Sequence, residues 1–312
     1  MKVCILGNGL TSLTLAKALV NQNIYVDIID QKKKKIQDRS RTIGISKSNI
    51  KFFNDSIINL ERIAWKLNKI EIFSDNLRKE KLINFENKST ELFSIIKNQN
   101  LFDILSKSLA KSKYFKTINT SKNLHFLENY SLVINTDLNH PITKKHFSKK
   151  ILKEYNSTAY TTVIDHQRIN NDVAVQIFTK MGPLAFLPIS SKETSVVYSF
   201  NYPKNNNYNN LRNLIEQYNY KYKIQKIGEI KSFELKSLSL RSYYHKNILA
   251  FGDLLHRIHP LAGQGFNMTV RDIKIFLDII VKKHSLGLPI DNSVNYEFEK
   301  KIKHKNFIFS NG

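Results

Sequence analysis

The first thirty residues constrain this chain more than any other stretch. "KVCIL" (Lys2–Leu6) is an unbroken apolar run that reads as a buried strand. "GNGLTS" follows at once, and then Leu13, Ala16, Leu19 and Val20 recur at helical spacing. A second apolar run, "IYVDII" from 24 to 29, ends at Asp30. Strand, glycine turn, helix and strand make one βαβ opening, so an α/β fold is expected.

The turn has a specific chemistry. Gly7 allows a tight bend, and Gly9 lets the backbone approach a pyrophosphate closely. The helix opens at Leu10, Thr11 and Ser12 and offers free N–H groups at its positive dipole end. Asp30 stands about 20 positions beyond the glycines, where a carboxylate accepts hydrogen bonds from a ribose diol. Ser12 occupies the place of a third glycine, a departure that keeps a small side chain. An adenine dinucleotide is the ligand this pattern suits, although ordinary α/β turns also carry such glycines.

A second glycine cluster lies near the other end, in "FGDLLHRIHPLAGQGFNMTVRD" from Phe251 to Asp272. A strand is expected over 248–251, then the pair Gly252–Asp253, a loop, and a long helix buried along Thr269, Ile273, Leu277 and Ile280. That helix is expected to start near Gln264–Asn267, turning its unpaired N–H groups toward whatever the loop holds.

These residues resemble the FAD-dependent aromatic hydroxylases, the class A flavoprotein monooxygenases, and above all those of ubiquinone biosynthesis. The shared pattern is Gly252–Asp253, then His259–Pro260, Gly263–Gln264–Gly265 and Asn267. The resemblance implies a Rossmann-like FAD-binding domain of the glutathione-reductase type, interleaved with a β-sheet-based substrate domain. Residues 1–53, 94–153 and 242–312 would build the first, and 54–93 and 154–241 the second. It implies that Asp253 bonds the ribityl chain, while His259 and Pro260 form an active-site loop and Gly263 to Asn267 frame the isoalloxazine. "RTIGIS" (Arg41–Ser46) makes Arg41 an FAD contact, and "IIKNQNLFDILSKSL" brings Asn98 or Gln99 to the cofactor, with Gln99 preferred. "MGPLAFLPI" is similar to the strand that faces the substrate cavity, where Phe186 and Tyr198 are either lining or plain core. The alternation in "TSVVYSF" suggests a strand with one buried face.

The implied activity is hydroxylation of an aromatic ring, most simply a polyprenylated phenol or quinone precursor, by O₂ captured on reduced flavin as a C4a-hydroperoxide. NAD(P)H is the implied electron donor. After "YSLVIN" the family places a glycine-alanine-aspartate-glycine turn, and here "NTDLN" keeps Asp137, a further cofactor contact, but puts Leu138 for the last glycine. The chain also stops at "FIFSNG", where family members continue with a helical segment. Two alternatives stay open: a related FAD-dependent reductase or oxidase, and a degenerate accessory of a biosynthetic complex.

Charge and cysteine bound the remaining classes. Of 312 residues, 49 are Lys or Arg and 26 Asp or Glu, a net charge of +23. Lysines account for most of that excess and are scattered, so a nucleic-acid partner is not expected; runs such as Lys144–Lys153 are either solvated or drawn to an anionic bilayer. Cys4, the single cysteine, lies in an apolar strand and reads as a small core residue. No signal-peptide pattern opens the chain, and "IFLDIIV" is broken by Asp278, so a cytoplasmic protein, peripheral at most at the inner face of the membrane, is expected. His256 and His259 lack the further ligands that a metal site needs, and His256 is expected at solvent or a domain boundary.

Overall fold

The computed structural model describes residues 2–30, 41–75, 81–86, 91–119, 125–200, 208–257 and 264–311. Its first sheet has six strands in the order β16–β17–β9–β1–β2–β8. These are β1 (Lys2–Leu6), β2 (Tyr25–Ile29), β8 (Phe115–Ile118), β9 (Leu132–Asn135), β16 (Tyr244–His245) and β17 (Ile248–Ala250). All its pairings are parallel except the β16–β17 hairpin. Val3, Cys4, Ile5 and Leu6 are consecutive and fully buried. A strand alternates its side chains between two faces, so both faces of this sheet are covered, which is why its sequence reads as a solid apolar run.

Helices α1 (Leu10–Val20), α3 (Asn98–Ala110), α6 (Gln264–Ser285) and α7 (Asn292–Asn311) share the main core with this sheet. α7 is pinned by Phe298, whose ring centroid lies 5.3 Å from that of Phe251 and 5.5 Å from that of Phe276. A trio of buried aromatic rings in offset and edge contact gains ~0.5–1.5 kcal/mol per pair beyond the burial itself.

Nine strands make a second sheet: β5 (Lys69–Ser74), β6 (Lys81–Glu86), β10 (Lys150–His166), β11 (Val173–Thr179), β12 (Gly182–Pro188), β13 (Glu193–Phe200), β14 (Ile224–Ile227), β15 (Lys231–Leu240) and β18 (His256–Arg257). Their order is β18–β15–β10–β13–β12–β11–β5–β6, with β14 also on β10. The pairing is antiparallel save for β11 with β5. A third, antiparallel sheet joins β3 (Thr42–Ser46), β7 (Phe93–Lys97) and β4 (Trp65–Leu67). Three short helices complete the framework: α2 (Lys47–Phe52), which widens into a π turn over Phe53–Ile57, α4 (Pro141–His146) and α5 (Tyr208–Tyr218).

The segment expected to bury one face buries both. Thr194, Ser195 and Val196 are all buried in succession. Val196 and Tyr198 pack with Leu211 and Ile215 of α5 on one side. On the other, Ser195 accepts a hydrogen bond from Thr42 of β3 at 3.1 Å. The nine-stranded sheet is therefore an inner layer along β13, with polar side chains paired where a second sheet approaches.

Candidate functional site

Two kinds of glycine surround the C-terminal end of β1. Gly7 has φ +108°, and a Cβ there would lie 2.6 Å from Thr136 Oγ1. Gly252 has φ +65°, and its added Cβ would meet Thr11 Cγ2 at 2.7 Å. Backbone conformation and close packing inside the protein demand glycine at both. Gly9 and Gly265 differ: beyond its chain neighbours and its own helix backbone, a Cβ at either would find no atom of the described residues within 4 Å. Each stands at a helix start, Gly9 as the N-cap of α1 without a side-chain cap and Gly265 as the second residue of α6. The first-turn N–H groups at Leu10, Thr11 and Ser12 have no intrahelical acceptors.

Contacts tie these starts into one continuous rim. Thr11 packs on the Gly252 turn, and Phe251 N–H donates to Asn135 O at 2.9 Å, holding that turn against β9. From Phe251 to His256 every residue is buried except Asp253, which is exposed. Asn267, in the first turn of α6, donates to Gly44 O at 2.8 Å and accepts from Ser46 N–H at 3.0 Å and Asn49 Nδ2 at 2.8 Å. Its side chain thus joins α6 to β3 and α2. At the far end of β3, Arg41 O accepts from Asn98 N–H at 3.0 Å, which places the start of α3 beside it.

The remaining expected residues divide. Asp30 accepts from the Asn8 amide at 3.2 Å at the end of β2. Ser12 is buried and hydrogen-bonds Thr136 Oγ1 at 2.7 Å, while Thr136 also donates to Leu6 O. The serine in the third-glycine position is therefore matched by a hydroxyl on the turn after β9, a pairing between residues too far apart in the sequence to be seen there. Asp137 caps its own turn, accepting from Asn139 N–H at 2.9 Å. The Arg41 guanidinium lies 5.3 Å from the centroid of the Phe233 ring on β15. Gln99 donates to Asp103 Oδ1 at 2.7 Å along α3, whereas Asn98 Oδ1 is buried with no hydrogen-bond partner among the described residues. Of the two, Asn98 has the unused polar atom. His259, Pro260, Gly263 and the Gln264 side chain lie outside the described residues.

Phe186 and Tyr198 belong to the core that β12 and β13 form with α5. His256 is not at solvent. It is 2% exposed, and its Nε2 lies 2.5 Å from Asp272 Oδ2, which locks β18 to α6. Arg271 binds the other oxygen of Asp272 at 2.8 Å and also donates to Asn306 of α7. Burial, and next the Asp27 carboxylate, push the Cys4 thiol far above its ordinary range, so it remains an uncharged core group. Among the described residues no group of three or more His, Cys, Asp or Glu is placed to hold a metal ion. No helix among them is long and apolar enough to cross a membrane.

No protein-family model matches the chain. It is similar to ubiquinone hydroxylase UbiL of Rhodospirillum rubrum, 26% identical over 144 residues that make 43% of this chain and 33% of that protein. It is also similar to 3-demethoxyubiquinol 3-hydroxylase of Escherichia coli, 30% identical over 125 residues, 37% of this chain and 31% of that one. These matches thus span about a third of the relatives' own length. Among solved structures, PqsL, a probable FAD-dependent monooxygenase from Pseudomonas aeruginosa, superposes with a TM-score of 0.76 at 15% identity, covering 99% of this chain and 93% of its own. The chain has the mixed α/β fold of FAD-dependent monooxygenases, and its sequence relatives include ubiquinone hydroxylases.

Proposed function

We propose that the chain binds FAD across the rim from Gly9 to Gly265 and hydroxylates an aromatic ring, that of a polyprenylated phenol or quinone precursor. The observation that carries this reading is the pair of glycines with no described residue over them, each at a helix start, beside the stretch 251–256 in which Asp253 alone is exposed. Among the described residues no side chain or neighbouring backbone requires glycine at Gly9 or Gly265, while a flat ligand lying against the backbone does. When bound and reduced, FAD supplies the activation of O₂ for transfer of one oxygen atom to an electron-rich ring.

The chain's own residues bind and orient. The uncapped start of α1 and the open side of Gly9 take the pyrophosphate, and Asp30 takes the ribose hydroxyls. Asp253 accepts from the ribityl hydroxyls, and Arg41 and Asn98, at the far end of β3, are further polar groups for the cofactor. Gly265 admits the edge of the ring system, and the α6 dipole favours negative charge there. In this reading the parallel sheet with α1, α3, α6 and α7 is the Rossmann-like cofactor unit, and the large sheet walls the substrate off from water. NAD(P)H donates the electrons.

The first test is the visible spectrum of the purified protein and release of its pigment. Bound FAD is expected, together with NAD(P)H oxidation and oxygen uptake stimulated by a phenol. A colourless protein that takes up no added FAD would end this reading. A flavoprotein that consumes no oxygen with any phenol would move it to a different small molecule.

A further inference from the structure

The lysine run from Lys144 to Lys153 plays no part in the rim described above. α4 ends in Lys144, Lys145 and His146, and buried Phe147 then anchors the chain in the main core. Lys149 and Lys150 lead into β10, where Lys149 O accepts from Arg241 N–H at 3.1 Å. Ile151 and Leu152 pair with Ser239 and Leu238 of β15. The His146 ring stacks on that of His245 at 4.0 Å, which brings Lys246 to the same surface. Lys144, Lys145, Lys149, Lys150, Lys153, Arg241 and Lys246 are all exposed. Ile151 and Leu152 are 50% and 53% exposed; as successive residues of β10 they project from opposite faces of the β10–β15 ribbon. The carboxylates of the adjoining strands, Glu154 and Glu234, are both held by Lys236, at 3.1 and 3.0 Å.

We infer that this end of the β10–β15 ribbon, with cations and an aliphatic side chain on each of its faces, docks on an anionic lipid surface. Fixed cations are drawn to a bilayer bearing negative headgroups, and aliphatic side chains at the same level enter the headgroup boundary. A single-stranded nucleic acid would be matched instead by exposed aromatic rings among the cations, and the exposed apolar groups here are aliphatic. The inference rests on the hydroxylase reading for its purpose, since a prenylated substrate resides in the bilayer. Its test needs no turnover.

The turn between α6 and α7 supplies an internal comparison. Val281, Leu286 and Leu288 are exposed there beside Lys282 and Lys283, but Lys283 is engaged by Ser293 at 2.9 Å and Asp291 adjoins it. The experiment is co-sedimentation of the full chain with vesicles of phosphatidylcholine, alone or mixed with phosphatidylglycerol. Binding is expected on the mixed vesicles alone, and it is expected to vanish at about 1 M salt, where the Debye length is about 3 Å. K149E/K150E should weaken it at least about tenfold. I151S/L152S should weaken it by about as much, and the equally charged change K282E/K283E should leave it unaltered, with all three variants melting as the parent does.

Equal binding to both vesicle types, no binding, or equal loss from K282E/K283E would overturn the assignment. Turnover of a water-soluble phenol separates the two ideas. Turnover without vesicle binding removes the docking face alone, and vesicle binding without turnover removes the hydroxylase reading while the docking face stands.

Discussion

Around Asn171, deep beside the nine-stranded sheet, polar atoms find partners within the chain, whereas over Gly9 and Gly265 none of the described residues closes. The Asn171 amide donates to Ser190 O at 2.9 Å and Thr194 Oγ1 at 3.0 Å, and its Oδ1 accepts from Tyr222 at 3.1 Å and Lys221 at 3.3 Å. Its backbone carbonyl accepts from Trp65 Nε1 at 2.6 Å. Burial pushes Lys221 below its ordinary range and Tyr222 up to about 12. A polar cluster that satisfies itself informs about stability. Glycines over which no described residue closes, and an Asn98 oxygen without a partner among the described residues, are what the proposed ligand would use.

The comparison predicts that stability and flavin affinity respond to different residues. Asn171→Ala has the largest effect: it strands several buried groups at about 1–3 kcal/mol each, so a denaturation midpoint should fall steeply while the folded fraction still binds FAD. Loss of flavin without loss of stability would break the distinction. Asp253→Ala should cost about 1.5–3 kcal/mol of FAD affinity, since it removes a charge-assisted hydrogen bond, and leave apo stability unchanged because the side chain is exposed. Titration of flavin fluorescence reads the first and thermal melting the second. Gly265→Ala is the sharpest case, because its two effects oppose. Alanine raises helix stability by up to about 1 kcal/mol, so the apo protein should melt higher while flavin binds more weakly. If both rise, the open space at Gly265 is not where the ligand lies. Ser12→Ala is the smallest, about 0.5–1.5 kcal/mol of stability for its bond to Thr136, with flavin affinity retained.

Local patterns made the elements that carry the glycines legible. β1, β2 and the start of α6 lie where the apolar spacing puts them, because strand and helix periods act over a few residues. What escaped depends on distant partners. His256 is buried because Asp272, on another element, receives it, and nothing in "GDLLHRIH" reveals that. The expectation for Gln99 followed a resemblance, and its pairing with Asp103 one helical turn on was not foreseen. "TSVVYSF" mixes polar and apolar residues, yet its serine is buried against Thr42 of a sheet that no local pattern announces.

The central sheet is woven from the two ends and the middle of the chain. β1, at residues 2–6, lies beside β9, at 132–135, which in turn takes β17, at 248–250. During synthesis the opening glycine turn therefore leaves the ribosome long before the strand and helix that face it exist. Pairings this remote in sequence form slowly and expose apolar strands while they wait. The rim cannot be complete until α6 has been made, and a chain interrupted before it would hold only the Gly9 side.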